Sequence, residues 1–282
     1  MRLFLRLLAQ IVTVSVVAFA GNAAVGAVQW NVWPTLVLGV ATAVLSLFAY
    51  AWVVRRTERR APAEVAWKGA GGAFGRGAVI GFGLFAAVIA VIALSGGYRV
   101  DGWGSVSGAV ALAGVTAAAA VTEELLFRGV LLRFVEQRIG TWLALVLTGG
   151  LFGLAHLFNP HASVWSSLAI AVEAGGMLGA AYVATRNLWV PIGLHFAWNF
   201  AEGGIFGTGV SGQSAPDGLL HGVLSGSTAL SGGEFGPEAS LYALVAGVVV
   251  TGVFLWLARR RGQLVPMRRR AAGVTATVSL SR

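Results

Sequence analysis

The stretch VTEELLFRGV, residues 121–130, sets Glu123, Glu124 and Arg128 at the end of an Ala/Val/Gly-rich run. On a helix, Glu124 and Arg128 stand one turn apart with the acid first, the favourable order for an ion pair. Glu123 points about 100° away and is free for another partner. Two more pairs have the same one-turn spacing: Phe152 with His156 in FGLAH, and His195 with Asn199 in HFAWN. Together they offer a carboxylate, two imidazoles and a carboxamide, which is a kit for attack by water on a carbonyl. A carboxylate can act as general base, and a histidine can orient the water or protonate the leaving amine. The second histidine and the asparagine can donate to a developing oxyanion. The same groups could instead hold a divalent metal such as zinc, through Glu123, His156 and His195. Each pair also has a plain structural reading: charges snorkelling at a membrane boundary, a histidine bonded to a backbone carbonyl, an asparagine joining two helices.

The elements that would position these groups are membrane helices. The chain has 282 residues, of which 57% are hydrophobic and 11% charged. An ordinary soluble domain is about 25% charged. Mean hydropathy is +0.78. Apolar runs of about 20 residues recur, each able to cross a hydrocarbon core. They predict an all-α, polytopic bundle with eight spans, at about 4–26, 34–54, 77–96, 105–127, 141–158, 165–184, 189–205 and 239–258. With that count, nearly every basic residue falls on one side: Arg6, Arg55 to Arg76, Arg133 and Arg138, Arg186, and the run from Arg259. Arg99 alone lies opposite, and Arg128 sits within a span. The positive-inside rule then places both termini in the cytoplasm of a multi-pass inner-membrane protein. This pattern also accounts for the net charge of +9 without a nucleic-acid partner. There is no cysteine, so disulfides, thiol nucleophiles and cysteine metal sites are excluded.

Five regions follow from this reading. Residues 1–103 hold three helices, 104–205 the catalytic core, 206–238 a Gly/Ser-rich flexible external loop, 239–258 the last helix, and 259–282 a basic cytoplasmic tail against lipid. Residues 1–20 also have the form of a signal peptide, with AFA at 18–20. One conflict of depth carries a prediction. Glu123 and His156 reach a common level only if the fourth helix runs on to about Arg138, so that helix is expected to be about 50 Å long, or broken.

The three pairs, in this order on successive helices, resemble the motifs of the CPBP family, the CAAX proteases and bacteriocin-processing (Abi) intramembrane endopeptidases. The resemblance covers about residues 104–205. It implies peptide hydrolysis within the membrane, acting on a membrane-associated protein or peptide. Glu123 would activate water with His156, Glu124 would be held by Arg128, and His195 and Asn199 would stabilise the oxyanion. Phe127, Phe152, Trp198 and Glu173 are candidates for substrate contact. The family has been described both as metal-dependent and as metal-independent glutamate proteases. This chain lacks the His-Glu-x-x-His zinc helix, which leans towards the second. The eukaryotic family theme is a prenylated substrate, but the Ala/Gly/Arg-heavy composition points to a bacterial peptide-processing, self-immunity or clearance role. Two other classes stay open on the residues alone: a non-catalytic scaffold or immunity protein, and a proton-coupled carrier using Glu124 and Glu173. Of the remaining polar residues, Glu202 is expected at the outer boundary and Asn159 and His161 in solvent. The Trp residues, among them Trp33, Trp103, Trp142 and Trp189, are expected to form interfacial belts.

Overall fold

The computed structural model describes residues 3–214 and 216–267, so most of the basic tail lies outside it. Eight rods make up the bundle. They are α1 (Leu3–Val28), α2 (Val32–Glu58), α3 (Ala70–Leu94), α4 (Val106–Ile139), α5 (Thr141–His156), α6 (Val164–Thr185), α7 (189–205) and α8 (Leu241–Arg260). Six of them are long and apolar enough to cross a bilayer: α1, α2, α3, α4, α6 and α8. Their outward faces carry bare apolar side chains, such as Phe4 and Phe19 on α1, Phe48 on α2 and Val249 on α8. Such a surface suits lipid and not water. The chain is therefore a multi-pass membrane protein. The shorter α5 and α7 complete the bundle, and α7 is buried along almost its whole length. A helix that is apolar all round belongs at the centre of a bundle.

The fourth rod spans 34 residues, or about 51 Å at 1.5 Å per residue. It is continuous, yet its winding widens to π turns over Leu125–Leu132. The expected long helix is therefore present, and the break takes the form of a local change of pitch.

Close backbone contact locks α7 to α3. A Cβ placed on Gly77 would collide with the Val190 carbonyl oxygen, and one on Gly81 with the Leu194 carbonyl oxygen. Small residues let membrane helices approach this closely, so dispersion acts between backbones.

Polar clamps fasten the rods at the end of the bundle where α1 begins and α2 ends. Arg133 of α4 grips Glu58 of α2 through both terminal nitrogens, at 2.7 and 2.6 Å. Gln10 of α1 donates to the same carboxylate at 2.8 Å. Arg60 donates to Glu58 at 2.6 Å and to both oxygens of Glu64, at 2.8 and 2.7 Å. The Tyr50 hydroxyl donates to Glu64 at 2.6 Å. A second clamp joins Arg186, past the end of α6, to Glu136 of α4 at 2.5 Å. These partners consume cations that the sequence reading had only placed on a cytoplasmic surface.

Two expectations are corrected. The loop 206–238 is folded, not loose: β2 (Leu220–Leu224) pairs antiparallel with β1 (Tyr98–Trp103), so the all-α bundle carries a two-stranded ribbon. Helical turns at Thr228–Ser231 and Pro237–Ala239 follow, and Phe235 and Glu238 are buried beneath them. Apolar and hydrogen-bonded anchors outweigh the flexibility that the Gly/Ser content suggests. Trp33, Trp103 and Trp142 are exposed at the periphery, as an interfacial belt requires. Trp189 is instead buried, and its indole donates to the Ala66 carbonyl at 3.1 Å.

Candidate active site

Three rods change pitch where they carry the chemical groups. The π turns of α4 begin directly after Glu124. Those of α6 span Ala171–Gly176 around Glu173. Those of α7 span Phe200–Ile205, directly after Asn199 and around Glu202. Such wide turns cost hydrogen-bond geometry and recur at functional sites, where they re-aim side chains.

Glu124 is the centre of the arrangement and is fully buried. Its Oε1 accepts from Arg128 Nη1 at 2.7 Å and from His195 Nδ1 at 3.0 Å. The ion pair within α4 is the one that the spacing predicts, and the bond to α7 adds a partner 71 residues away. Arg128 spends its other terminal nitrogen on the Ala174 carbonyl of α6 at 3.0 Å. Its guanidinium lies 4.5 Å above the Phe152 ring. Phe152, buried to 1%, also meets Phe127 edge-on at 4.9 Å and His156 at 4.6 Å. Phe152 is thus a platform under the charged groups rather than a side chain open to substrate.

Glu124 fixes His195 from behind. Because the carboxylate accepts, Nδ1 carries the proton and Nε2 is aimed forward, 4.0 Å from Glu123 Oε2. That Oε2 is buried and has no hydrogen-bond partner among the described residues. Two groups 4.0 Å apart can both hold one water at about 2.8 Å, subtending roughly 90° at its oxygen. His156 is oriented by its own helix: Nδ1 donates to the Phe152 carbonyl at 2.8 Å, which leaves Nε2 for other partners. Glu123, His156 and Asn199 all line one cavity of about 360 Å³. His156, His195 and Asn199 also line a chamber of about 10 Å³ behind it, room for about one water. Glu123, His156, His195 and Asn199 therefore border two spaces that share His156, Asn199 and Ser211 in their walls, with Glu124 and Arg128 packed behind His195.

Buried acids that sequence reasoning placed elsewhere or passed over lie close by, and two of them, Glu173 and Glu238, line the chamber. Glu173 is 1% exposed, and neither of its oxygens has a partner among the described residues. Glu202, expected at the outer boundary, is fully buried beside the Glu238 carboxyl. Its position on the His195 and Asn199 face was visible in the spacing, but its depth was not. Glu238 comes from the folded outer loop and shares the chamber with His156 and Ser211. Burial raises the Glu238 carboxyl above the usual range, and the Ser211 hydroxyl and nearby His156 pull it partly back. No spacing in the loop marks Glu238 in advance. Trp198 lines the same chamber and packs edge-on against Phe85 at 5.2 Å, so it is chiefly a core residue. Asn159, expected in solvent, donates to the Ser211 carbonyl at 2.9 Å and lines the larger cavity. His161 is exposed as expected and lies 3.1 Å from Glu234.

A catalytic zinc needs about three protein ligands converging at about 2 Å. Among the described residues no group of three or more His, Asp or Glu side chains is disposed to hold a metal ion. Glu123, His156 and His195 do not converge in that way.

Residues 105–201 match the family model described as type II CAAX prenyl endopeptidase Rce1-like. The match begins at the N-terminal cap of α4 and ends just past Asn199, so it contains all three pairs. No curated protein and no solved structure matches the chain.

Proposed function

With that match as premise, we propose that the chain is an intramembrane endopeptidase in which Glu123 is the general base. The observation that carries this reading is the unpartnered, buried Glu123 oxygen facing His195 Nε2 across a water-sized gap. A water there gives its proton to Glu123, and its oxygen attacks the scissile carbonyl. His195, held between the Glu124 and Glu123 carboxylates as an imidazolium with a proton on each ring nitrogen, donates through Nε2 with Asn199 to the oxyanion that forms; His156, another lining residue of the cavity, accepts the proton from Glu123 at Nε2 and passes it to the leaving amine. Arg128 and Glu124 act through His195 by position and do not touch substrate. This revises the sequence reading in one respect: His195 stands nearest to Glu123, with His156 further along the cavity wall. The hydrolysis consumes one water and yields a free carboxylate and a free amine, with no cofactor in the balance.

In this reading the chain sits in the inner membrane with both termini in the cytoplasm, which the one-sided placing of its basic residues supports. The test uses the purified full chain in detergent with a peptide library in ¹⁸O water. Wild type is expected to release fragments carrying one ¹⁸O at the new carboxyl end. Glu123→Gln is expected to lose cleavage by a factor on the order of 10²–10⁴, the range for a general base. Equal cleavage by wild type and Glu123→Gln would overturn the assignment, and no cleavage by either would favour a non-catalytic scaffold.

A further inference from the structure

The larger cavity has a direction. Its walls are the C-terminal end of α1 at Asn22 and Val25, the N-terminal half of α4 at Thr116 and Ala119, and the outer loop at Ser211 and Gln213. Glu123 lies at its inner limit along α4, one turn below Ala119. All the wall residues above Glu123 belong to the end of the bundle that carries the β1–β2 ribbon. Among the described residues, the opposite end carries the clamps and every Lys and Arg except Arg128, within the bundle, and Arg99, at the ribbon end. The retention of basic loops in the cytoplasm makes the ribbon end the outer one. The cavity thus opens outward.

Its lining also selects. Asn22, Gln29, Asn159, Asn199 and Gln213 place five carboxamides around it, beside the Ser211 and Ser214 segment. The lining has no Lys or Arg, and its single carboxylate is Glu123. Carboxamides offer both donors and acceptors, the complement of an extended peptide backbone, whereas an anionic ligand would find no cation. Val25, Leu112 and Val115 add an apolar strip along the α1–α4 side.

Resting on the proteolytic reading above, we propose that the site draws its substrate from the extracytoplasmic side. The substrate is an extended, uncharged stretch of a membrane-anchored polypeptide displayed on the outer face, and not a tail presented from the cytosol. The carboxamides hold its backbone while the strip between α1 and α4 takes apolar side chains.

The absence of cysteine makes a clean test possible. Single variants Asn22→Cys, Ala119→Cys and Gln213→Cys are made in the full chain and treated with a membrane-impermeant maleimide. Labelling is compared between right-side-out spheroplasts and inside-out vesicles. Exposed controls are Ser225→Cys at the ribbon end and Lys68→Cys at the basic end. The expected result is labelling of all three cavity variants and Ser225→Cys at least about tenfold faster from outside, with the reverse for Lys68→Cys. Labelling of Ala119→Cys and Gln213→Cys from the inside only would overturn the proposal. In a second arm, one reporter segment is tethered to the outer face in one strain and to the cytosolic face in another. Cleavage of the outer reporter alone, lost in Glu123→Gln, supports the proposal; cleavage of the cytosolic reporter alone refutes it. Outward labelling with neither reporter cleaved would refute the substrate class while the direction of the cavity stands. Failure of the proteolytic reading looks different again: Glu123→Gln would then cleave like wild type whatever the labelling.

Discussion

Replacing Arg128 by Met tests whether the Glu124 centre is coupled as the distances require. The guanidinium is 3% exposed and its partner carboxylate fully buried, so neither is relieved by water. Arg128→Met removes the 2.7 Å bond to Glu124, the bond to the Ala174 carbonyl and the stack on Phe152. It leaves a carboxylate in the interior with His195 as its remaining partner. Breaking a buried pair in this way costs about 3–5 kcal/mol. The double variant Glu124→Gln/Arg128→Met removes the stranded charge as well, while Gln can still accept from His195 Nδ1. It should therefore recover about 2–3 kcal/mol of that loss, a shift of roughly two orders of magnitude in the unfolding constant. The assay is reversible unfolding in mixed micelles, followed by the fluorescence of the ten Trp residues. Four proteins are compared: wild type, each single variant and the double. If the two single losses add to within about 0.5 kcal/mol, the sites are independent and the reasoning fails. An activity measurement runs beside it. Glu124→Gln should lower kcat more than it raises KM, because His195 keeps its hydrogen bond but loses the negative charge that stabilises its protonated form, while the cavity is unchanged.

Three further outcomes can be measured on the same preparation. Phe152→Ala should cost about 3–5 kcal/mol in micelle unfolding and reduce turnover, since the platform beneath Arg128 and His156 is gone; Phe152→Leu should recover part of the stability. Gly81→Val should push α3 from α7 and cost about 1–3 kcal/mol, lowering activity through His195 on the same helix, whereas Gly83→Ala, whose added methyl meets nothing, should not. Glu64 supplies a pH signature. Burial alone would lift its carboxyl, but Arg60 and the Tyr50 hydroxyl bond to it and hold it below the ordinary range. A depressed folded value means the stabilisation is complete above the unfolded value, about 4.3, and is lost as pH falls through the folded one. Thermal unfolding between pH 7 and pH 3 should therefore steepen at the acid end in wild type and flatten in Glu64→Gln.

The architecture was legible where one-dimensional signals fix it. Apolar runs marked the rods to within a few residues at most ends, although α3 begins at Ala70, well before the apolar run suggests. The demand that Glu123 and His156 share a depth announced the length of α4. The pairs Glu124/Arg128, Phe152/His156 and His195/Asn199 were readable because helical spacing alone puts their members together. What stayed hidden is tertiary. Nothing in the order of residues says that His195 would lean on Glu124, or that Phe152 would lie beneath Arg128. Glu238 arrives from a Gly/Ser-rich segment whose composition argues for looseness, and only the seating of Phe235 and the ribbon reveals why it is fixed. The π turns leave no trace in the apolar pattern, since one slackened turn shifts a lipid-facing stripe too little to notice.

Those slackened turns act as phase adjusters between two halves of the same rod. On α4 the half before the π turns aims Glu123 and Glu124, and the half after them aims Arg133 and Glu136 at their clamps. Excising one residue from Leu125–Leu132 would let the winding tighten to ordinary pitch, and the extra angle gained per residue would offset much of the angle lost with the residue. Both halves would stay near their present bearings, whereas a residue removed from the ordinary turns on either side would swing everything beyond it by about 100°. That stretch, and its counterparts on α6 and α7, are thus places where descent could gain or lose a residue while both the fastening of the bundle and its chemistry are kept. An alignment that runs straight through them, without a gap, would misassign every residue beyond.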